Sequence, residues 1–284
     1  MDEELQCAPG IKTTSGSCFS LKKLIKIAVA YNNKWIQQSS EGVKLDFTKI
    51  VIKEDKEYLL RELRKRLQKV CNDDEVCWIE QDFVKRLNDI DISKYTFRPK
   101  GPEGRFEWLS TLHIEDVLSQ YEKSNPEFRF LGAVPMDFED LPVLGLANID
   151  YSKLQSEGVT KIGVVFNTDE HYKPGQHWIA TYVDFDKNQV YFFDSVGDKP
   201  EKRVRRFLSK AVKFIMNSKK VPFEEIDINY NNVVHQRGNT ECGVYSINFI
   251  IRLLNGETFD EIIKRRMTDK EVNACRKVYY QRDD

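Results

Sequence analysis

The amino-acid sequence predicts an α+β fold in which a helical N-terminal arm precedes a core of mixed helices and strands. Two observations carry this expectation. Apolar residues recur at helical spacing up to about residue 90, and beyond Tyr121 the period changes to two across runs rich in β-branched and aromatic residues. A third observation bounds the size: 284 residues with 40% apolar content suffice for one medium core and a smaller appended unit.

The arm comes first. Leu21, Leu24, Ile25 and Ala28 form one apolar stripe, and Leu59, Leu60, Leu63, Leu67 and Val70 form another. Glu57 and Glu62 stand four residues before Arg61 and Arg66, the favourable order for helical ion pairs. The segment Arg98-Pro-Lys-Gly-Pro-Glu-Gly104 is dense in helix breakers, which sets an expected boundary: a helical arm domain over 1–104 and a core over 105–284.

In the core, a helix is expected from Trp108 to Tyr121. Strands follow at Lys161–Phe166, His177–Val183 and Gln189–Phe193, the last two joined as a hairpin by the turn-forming Asp186-Lys-Asn188. A basic amphipathic helix spans about Glu201 to Asn217, and Glu225–Asn229 reads as extended. The last helix begins near Cys242 and ends at Asn255-Gly256, a pair suited to a left-handed C-cap.

Charge and cysteine usage exclude some function classes. Lysine plus arginine (44) nearly cancel aspartate plus glutamate (45), so the total charge points to no polyanionic partner. Locally, Lys202, Arg203, Arg205, Arg206, Lys210, Lys213, Lys219 and Lys220 make a basic face over 202–220. That face suits weak nucleic-acid or capsid contact, although a merely solvated helix face is the commoner meaning of such a pattern. The longest apolar run, Tyr245 to Leu254, is too short to span a bilayer, so the chain reads as soluble with no membrane partner. An acidic Met1-Asp-Glu-Glu opening is unlike a secretory leader, which favours a reducing compartment and free thiols at Cys7, Cys18, Cys71, Cys77, Cys242 and Cys275. Cys71 and Cys77 are close enough for a local bridge or a metal half-site, but no second Cys or His pair completes a zinc set. No metal or other cofactor is expected.

Cys242 follows a loop, Gly238-Asn-Thr-Glu241, and precedes Val244, Ile247, Ile251 and Leu254, whose spacing places it in the first turn of a buried helix. There the helix dipole and unpaired N–H groups favour a thiolate, and Gly243 is expected to leave room for a substrate carbonyl. A lone buried cysteine is ordinarily inert packing, so the case rests on its company. His177 opens one strand and Asp194 closes the next, which puts both at the same sheet edge, where a carboxylate can orient an imidazole. Simple counting pairs Asp194 with Ala180 and leaves His177 about three residues, roughly 10 Å, too far along. Gln236 can supply an oxyanion donor beside the Cys242 N–H, though alone it reads as a loop residue. His235 is the second candidate base; His113 and His171 are read as surface or core residues.

Gly175-Gln-His-Trp178, then Val183-Asp184 and Asp194-Ser195, with Gln236 six residues before Glu241-Cys-Gly243, resemble the clan of SUMO proteases and the adenovirus protease. The likeness is greatest to the polyprotein-processing proteases of African swine fever virus and other large DNA viruses. It extends to Phe166-Asn-Thr-Asp169, His235-Gln236, Tyr245-Ser246, Arg266-Met-Thr-Asp269 and the Cys71/Cys77 pair. The resemblance implies a papain-like core of the ubiquitin-like-protein protease type and a thiol endopeptidase with a Cys242–His177–Asp194 triad and Gln236. It further implies cleavage after Gly-Gly, with Trp178, Trp108 and Asn167 binding substrate. The implied partner is a polyprotein or a ubiquitin-like protein, and the implied location is the host cytoplasm and the virion. Strand alternation points Trp178 away from His177's side, yet its indole can still wall the cleft. Two features depart from the pattern. The African swine fever enzyme has asparagine at the place of Asp194, and Glu107-Trp-Leu-Ser110 resembles a SUMO-protease motif that the viral enzyme lacks. Two further readings remain: a protease that removes ubiquitin-like proteins, and an inactive binding module.

Overall fold

The computed structural model describes residues 6–281 except 14, 45 and 105, so the acidic opening lies outside the described residues. The chain divides between Arg98 and Pro99 into two compact units, and Gln281 belongs with the first. Its class is α+β with helices at the N-terminus, as the periodicity predicts.

The first unit is built on helices Leu21–Ser40 and Lys56–Cys71. Ser20 and Asp55 cap them, each side chain accepting from the backbone N–H three residues on. Leu24, Ile27 and Ala28 meet Leu59, Leu60, Leu63 and Leu67 in a core completed by Phe19, Trp78 and Phe97. Val70 is 65% exposed, and Cys71 takes the buried place expected for it. Steps of four through Leu59, Leu63, Leu67 and Cys71 keep to one face, whereas Val70 falls to its side.

The expectation of free thiols is overturned for four cysteines. Disulfides join Cys7 to Cys18 and Cys71 to Cys77, with Cα atoms 5.3 and 5.4 Å apart, in the ordinary bridging range. The whole chain's length argued against a disulfide scaffold, but the relevant length is that of this small unit, whose modest core leaves more for covalent links to supply.

The second unit is organised by a five-stranded sheet: β1 (Phe128–Val134), β2 (Lys161–Asn167), β3 (Trp178–Asp184), β4 (Gln189–Phe193) and β5 (Asp227–Tyr230), in that spatial order. β2, β3 and β4 run antiparallel to their neighbours among themselves, while β1 and β5 add parallel strands at the edges. The hairpin register differs by one from simple counting, because Asp184 pairs with Gln189 and Ala180 with Phe193. Phe185 causes the shift. It is fully buried and its N–H donates to the Thr160 carbonyl, so it leaves the ladder and lengthens the turn to four residues.

Side chains alternate across the sheet as a period of two requires. Ala180, Tyr182, Tyr191 and Phe193 pack with helices Thr111–Ser124 and Cys242–Leu254 on one face. Ile179, Val183, Val190 and Phe192 pack with helix Lys202–Lys219 on the other. The Cys242 helix is buried from Cys242 to Leu253, which is why its sequence is apolar on nearly every side. No helix among the described residues is long and apolar enough to cross a membrane.

Candidate active site

The ends of β3 and β4 bring two of the expected groups together. His177 precedes β3 by one residue, Asp194 follows β4 by one, and His177 Nε2 lies 2.7 Å from Asp194 Oδ1. The observed register shortens the separation counted from the sequence by one residue. Past the strand end, Thr168 N–H still donates to the His177 carbonyl at 2.8 Å, so the chain stays beside β2 and His177 is held in place.

Asp194 is buried and fixed at both ends. Its Oδ1 also accepts from Val196 N–H, its own N–H donates to Asn231 Oδ1 at 2.8 Å, and its carbonyl accepts from Asn231 Nδ2 at 2.6 Å. Sequence reasoning missed Asn231. Its signal was an amide side chain directly after a short strand, a weak one, because asparagine is common in loops.

Cys242 is the first residue of its helix and is 2% exposed. Cys242 is among the groups that raise the His177 imidazole, which sets the thiol beside the ring. With Nε2 committed to Asp194, Nδ1 is the nitrogen left for sulfur. Burial would lower the basicity of His177, but the Asp194 bond, then Cys242 and the charges of both, outweigh it and raise the imidazole to about 9. A proton held there is available to a leaving amine.

Gln236 is 5% exposed and so is not the solvated loop residue it would be if read alone. Ser195 Oγ donates to its Oε1 at 2.7 Å, which fixes the orientation of the amide and leaves Nε2 as the donor end. Nε2 donates one hydrogen to the Gly238 carbonyl at 3.0 Å and retains a second. The loop itself is pinned residue by residue. The Ser195 carbonyl accepts from His235 and Gln236 N–H, and the Asp269 carboxylate accepts from Arg237 and Gly238 N–H at 3.0 and 2.7 Å.

Trp108, Trp178 and Asn167 line one cleft of about 450 Å³, together with Pro135, Pro174 and Gly175. Trp108 is 43% exposed, while Trp178 is buried and its indole N–H donates to the Leu109 carbonyl at 2.9 Å. Trp178 shares an apolar cluster with Cys242, and His177 stands just outside the strand. Asn167 Oδ1 accepts from Asp169 and Gln176 N–H, bracing the loop that ends at His177. Gly243 does not make space for substrate either. A Cβ there would lie 3.0 Å from Leu109 Cβ, so the missing side chain admits Leu109.

The other histidines are occupied elsewhere. His235 packs against Phe193 and Tyr245, and burial followed by the charges of Arg266 and Arg252 lowers it to about 4, leaving it neutral. His113 caps its helix through Ser110, and His171 meets Asp137. On the basic helix, Arg203 and Arg206 pair with Asp140 and Glu139, and Lys210 and Lys219 donate to the Ala147 and Asp186 carbonyls.

Known proteins resemble this chain in sequence and in fold. Residues 155–284 match the model of the Ulp1 protease family, C-terminal catalytic domain. A putative thiol protease of Acanthamoeba polyphaga mimivirus is 39% identical over 274 residues, covering 94% of this chain and 90% of that protein. A cysteine protease of African swine fever virus is 27% identical over 225 residues, covering 72% and 81%. The crystal structure of an African swine fever virus protease has the same fold, with a TM-score of 0.65 at 22% identity over 98% of this chain and 96% of that one. The chain belongs to the Ulp1 protease family of cysteine proteases.

Proposed function

We propose that the protein is an endopeptidase in which Cys242 attacks the scissile carbonyl, His177 carries the proton to the leaving amine, Asp194 orients His177, and Gln236 with the Cys242 N–H binds the oxyanion. The observation that carries this reading is the 2.7 Å His177–Asp194 hydrogen bond, with Cys242, the first residue of a buried helix, among the groups that raise the same imidazole. The substrate is an extended chain whose last two residues before the bond are Gly-Gly, supplied by precursor polyproteins during maturation of a virus particle. Support comes from the cleft lined by Trp108, Trp178, Pro135, Pro174 and Gly175, whose rigid rings suit a substrate chain without β-carbons. Peptides varied at those two positions test it. Gly-Gly should exceed Gly-Ala in kcat/KM by at least about tenfold, whereas equal rates for Gly-Gly, Ala-Gly and Gly-Ala would remove the specificity.

Removal of a ubiquitin-like protein is the second reading, favoured by similarity to African swine fever virus proteins known as SUMO-1 cysteine proteases. A SUMO vinyl-sulfone probe that labelled Cys242 faster than a Gly-Gly peptide probe would select it.

A further inference from the structure

Arg276 stands 34 residues after Cys242, outside every motif that marks the site, and is 8% exposed. Its Nη2 donates to the Glu107 carbonyl at 2.8 Å and to the Thr240 carbonyl at 3.1 Å. Its Nε donates to Asn273 Oδ1 at 3.0 Å, and Asn273 Nδ2 donates to Glu241 Oε1 at 2.9 Å. Glu241 in turn accepts from Thr240 N–H and Oγ1. The residue before Trp108 and the two residues before Cys242 are therefore all tied to one guanidinium.

That guanidinium is a costly choice for a mere brace. Nη1 is buried with no partner among the described residues, and burial, the largest influence on the group, works against its charge. The carboxylates of Glu241 and Glu107 offset part of that cost. An apolar side chain of similar volume would pack there without the penalty, so the geometry of the two carbonyls is what the arginine preserves.

The other end of the same segment is tied to the histidine side. Two residues past Glu107, the Leu109 carbonyl accepts from the indole of Trp178, the immediate neighbour of His177. Between the two ties, Leu109 rests on Gly243, where a Cβ would come within 3.0 Å. We infer that Glu107–Leu109 is a strap whose two anchors, Arg276 on the Cys242 loop and Trp178 beside His177, set the spacing of thiol and imidazole. Arg276 is a positioning residue, acting on the reaction through Cys242. The inference rests on the assignment of Cys242 and His177 proposed above.

The test uses the full chain with Arg276→Lys, Trp178→Phe and the variant carrying both. Lysine keeps the charge but cannot bond two carbonyls and Asn273 in one plane, and phenylalanine keeps a ring without the N–H. Each single variant should lower kcat on a Gly-Gly peptide at least fivefold, with KM within about threefold, because alignment rather than ground-state binding is lost. The rate of Cys242 alkylation by iodoacetamide, which needs no cleft wall, should fall with kcat. The doubly substituted protein should lose little beyond the worse single variant, since either cut slackens the same strap. Wild-type kcat and alkylation in both single variants, or effects that simply multiply, would overturn the strap. Where melting shows that Arg276→Lys does not fold, Asn273→Ala removes the Nε acceptor instead and must give the same loss of kcat. Cys242→Ala is run beside them: turnover surviving there refutes the nucleophile, while its loss alongside unaffected strap variants refutes the strap alone.

Discussion

At the scale of single residues, the site was legible wherever chemistry demands a particular side chain. Cys242, His177, Asp194 and Gln236 announce themselves by type, order and placement at element ends; the structure joins His177 to Asp194, and Gln236 to Ser195, the residue after Asp194. The residues that hold them did not. Asn231 and Arg276 act on backbone groups far away in sequence, and a backbone carbonyl leaves no mark on the residue that will bind it. The basicity of His177 carries a consequence for pH. Because its pKa is raised from the ordinary 6.5 to about 9, the imidazolium and the stability it brings are fully present below 6.5 and are lost only as pH rises through about 9. The alkaline limb of kcat/KM should therefore fall near pH 9. In Asp194→Asn the bond that contributes most to the rise loses its charge, so the limb should move toward neutral pH. A pH–rate profile unmoved by that substitution would show that the carboxylate does not set the proton on His177.

At the scale of elements, periodicity located the three central strands and all the long helices, with errors of a few residues at their ends. β1 escaped because a bulge between Phe130 and Ala133, with Gly132 at φ +120°, breaks the alternation that marks a strand. The hairpin register escaped for a different reason: whether Phe185 belongs to strand or turn is decided by the pocket it fills, not by its neighbours in sequence. Two helices show how differently elements contribute. Helix Cys242–Leu254 is enclosed, so Ile247→Ala leaves a cavity and should cost about 3 kcal/mol of unfolding free energy. Lys213 lies on the open side of helix Lys202–Lys219, and Lys213→Ala should change it by less than about 0.5 kcal/mol. Denaturant unfolding of the two variants checks the contrast. Equal costs would contradict the placement of the Cys242 helix at the centre of its core.

At the scale of the molecule, the chain joins a small helical unit closed by two disulfides to a protease unit whose described free thiols are Cys242 and Cys275. Those two thiols differ in surroundings. Cys242 meets His177, whereas burial pushes the Cys275 thiol up, so the two compete unequally for an electrophile. The central claim, that Cys242 is the nucleophile of a protease of Gly-Gly bonds, is tested most directly by one labelling measurement. The protein is incubated with a peptide vinyl sulfone ending in Gly-Gly, and the adduct is located by intact-mass and peptide-mapping spectrometry. The account predicts a single adduct on Cys242, slowed strongly by His177→Ala and absent in Cys242→Ala together with all peptide turnover. An adduct on Cys275 in its place, or turnover that persists in Cys242→Ala, would contradict it.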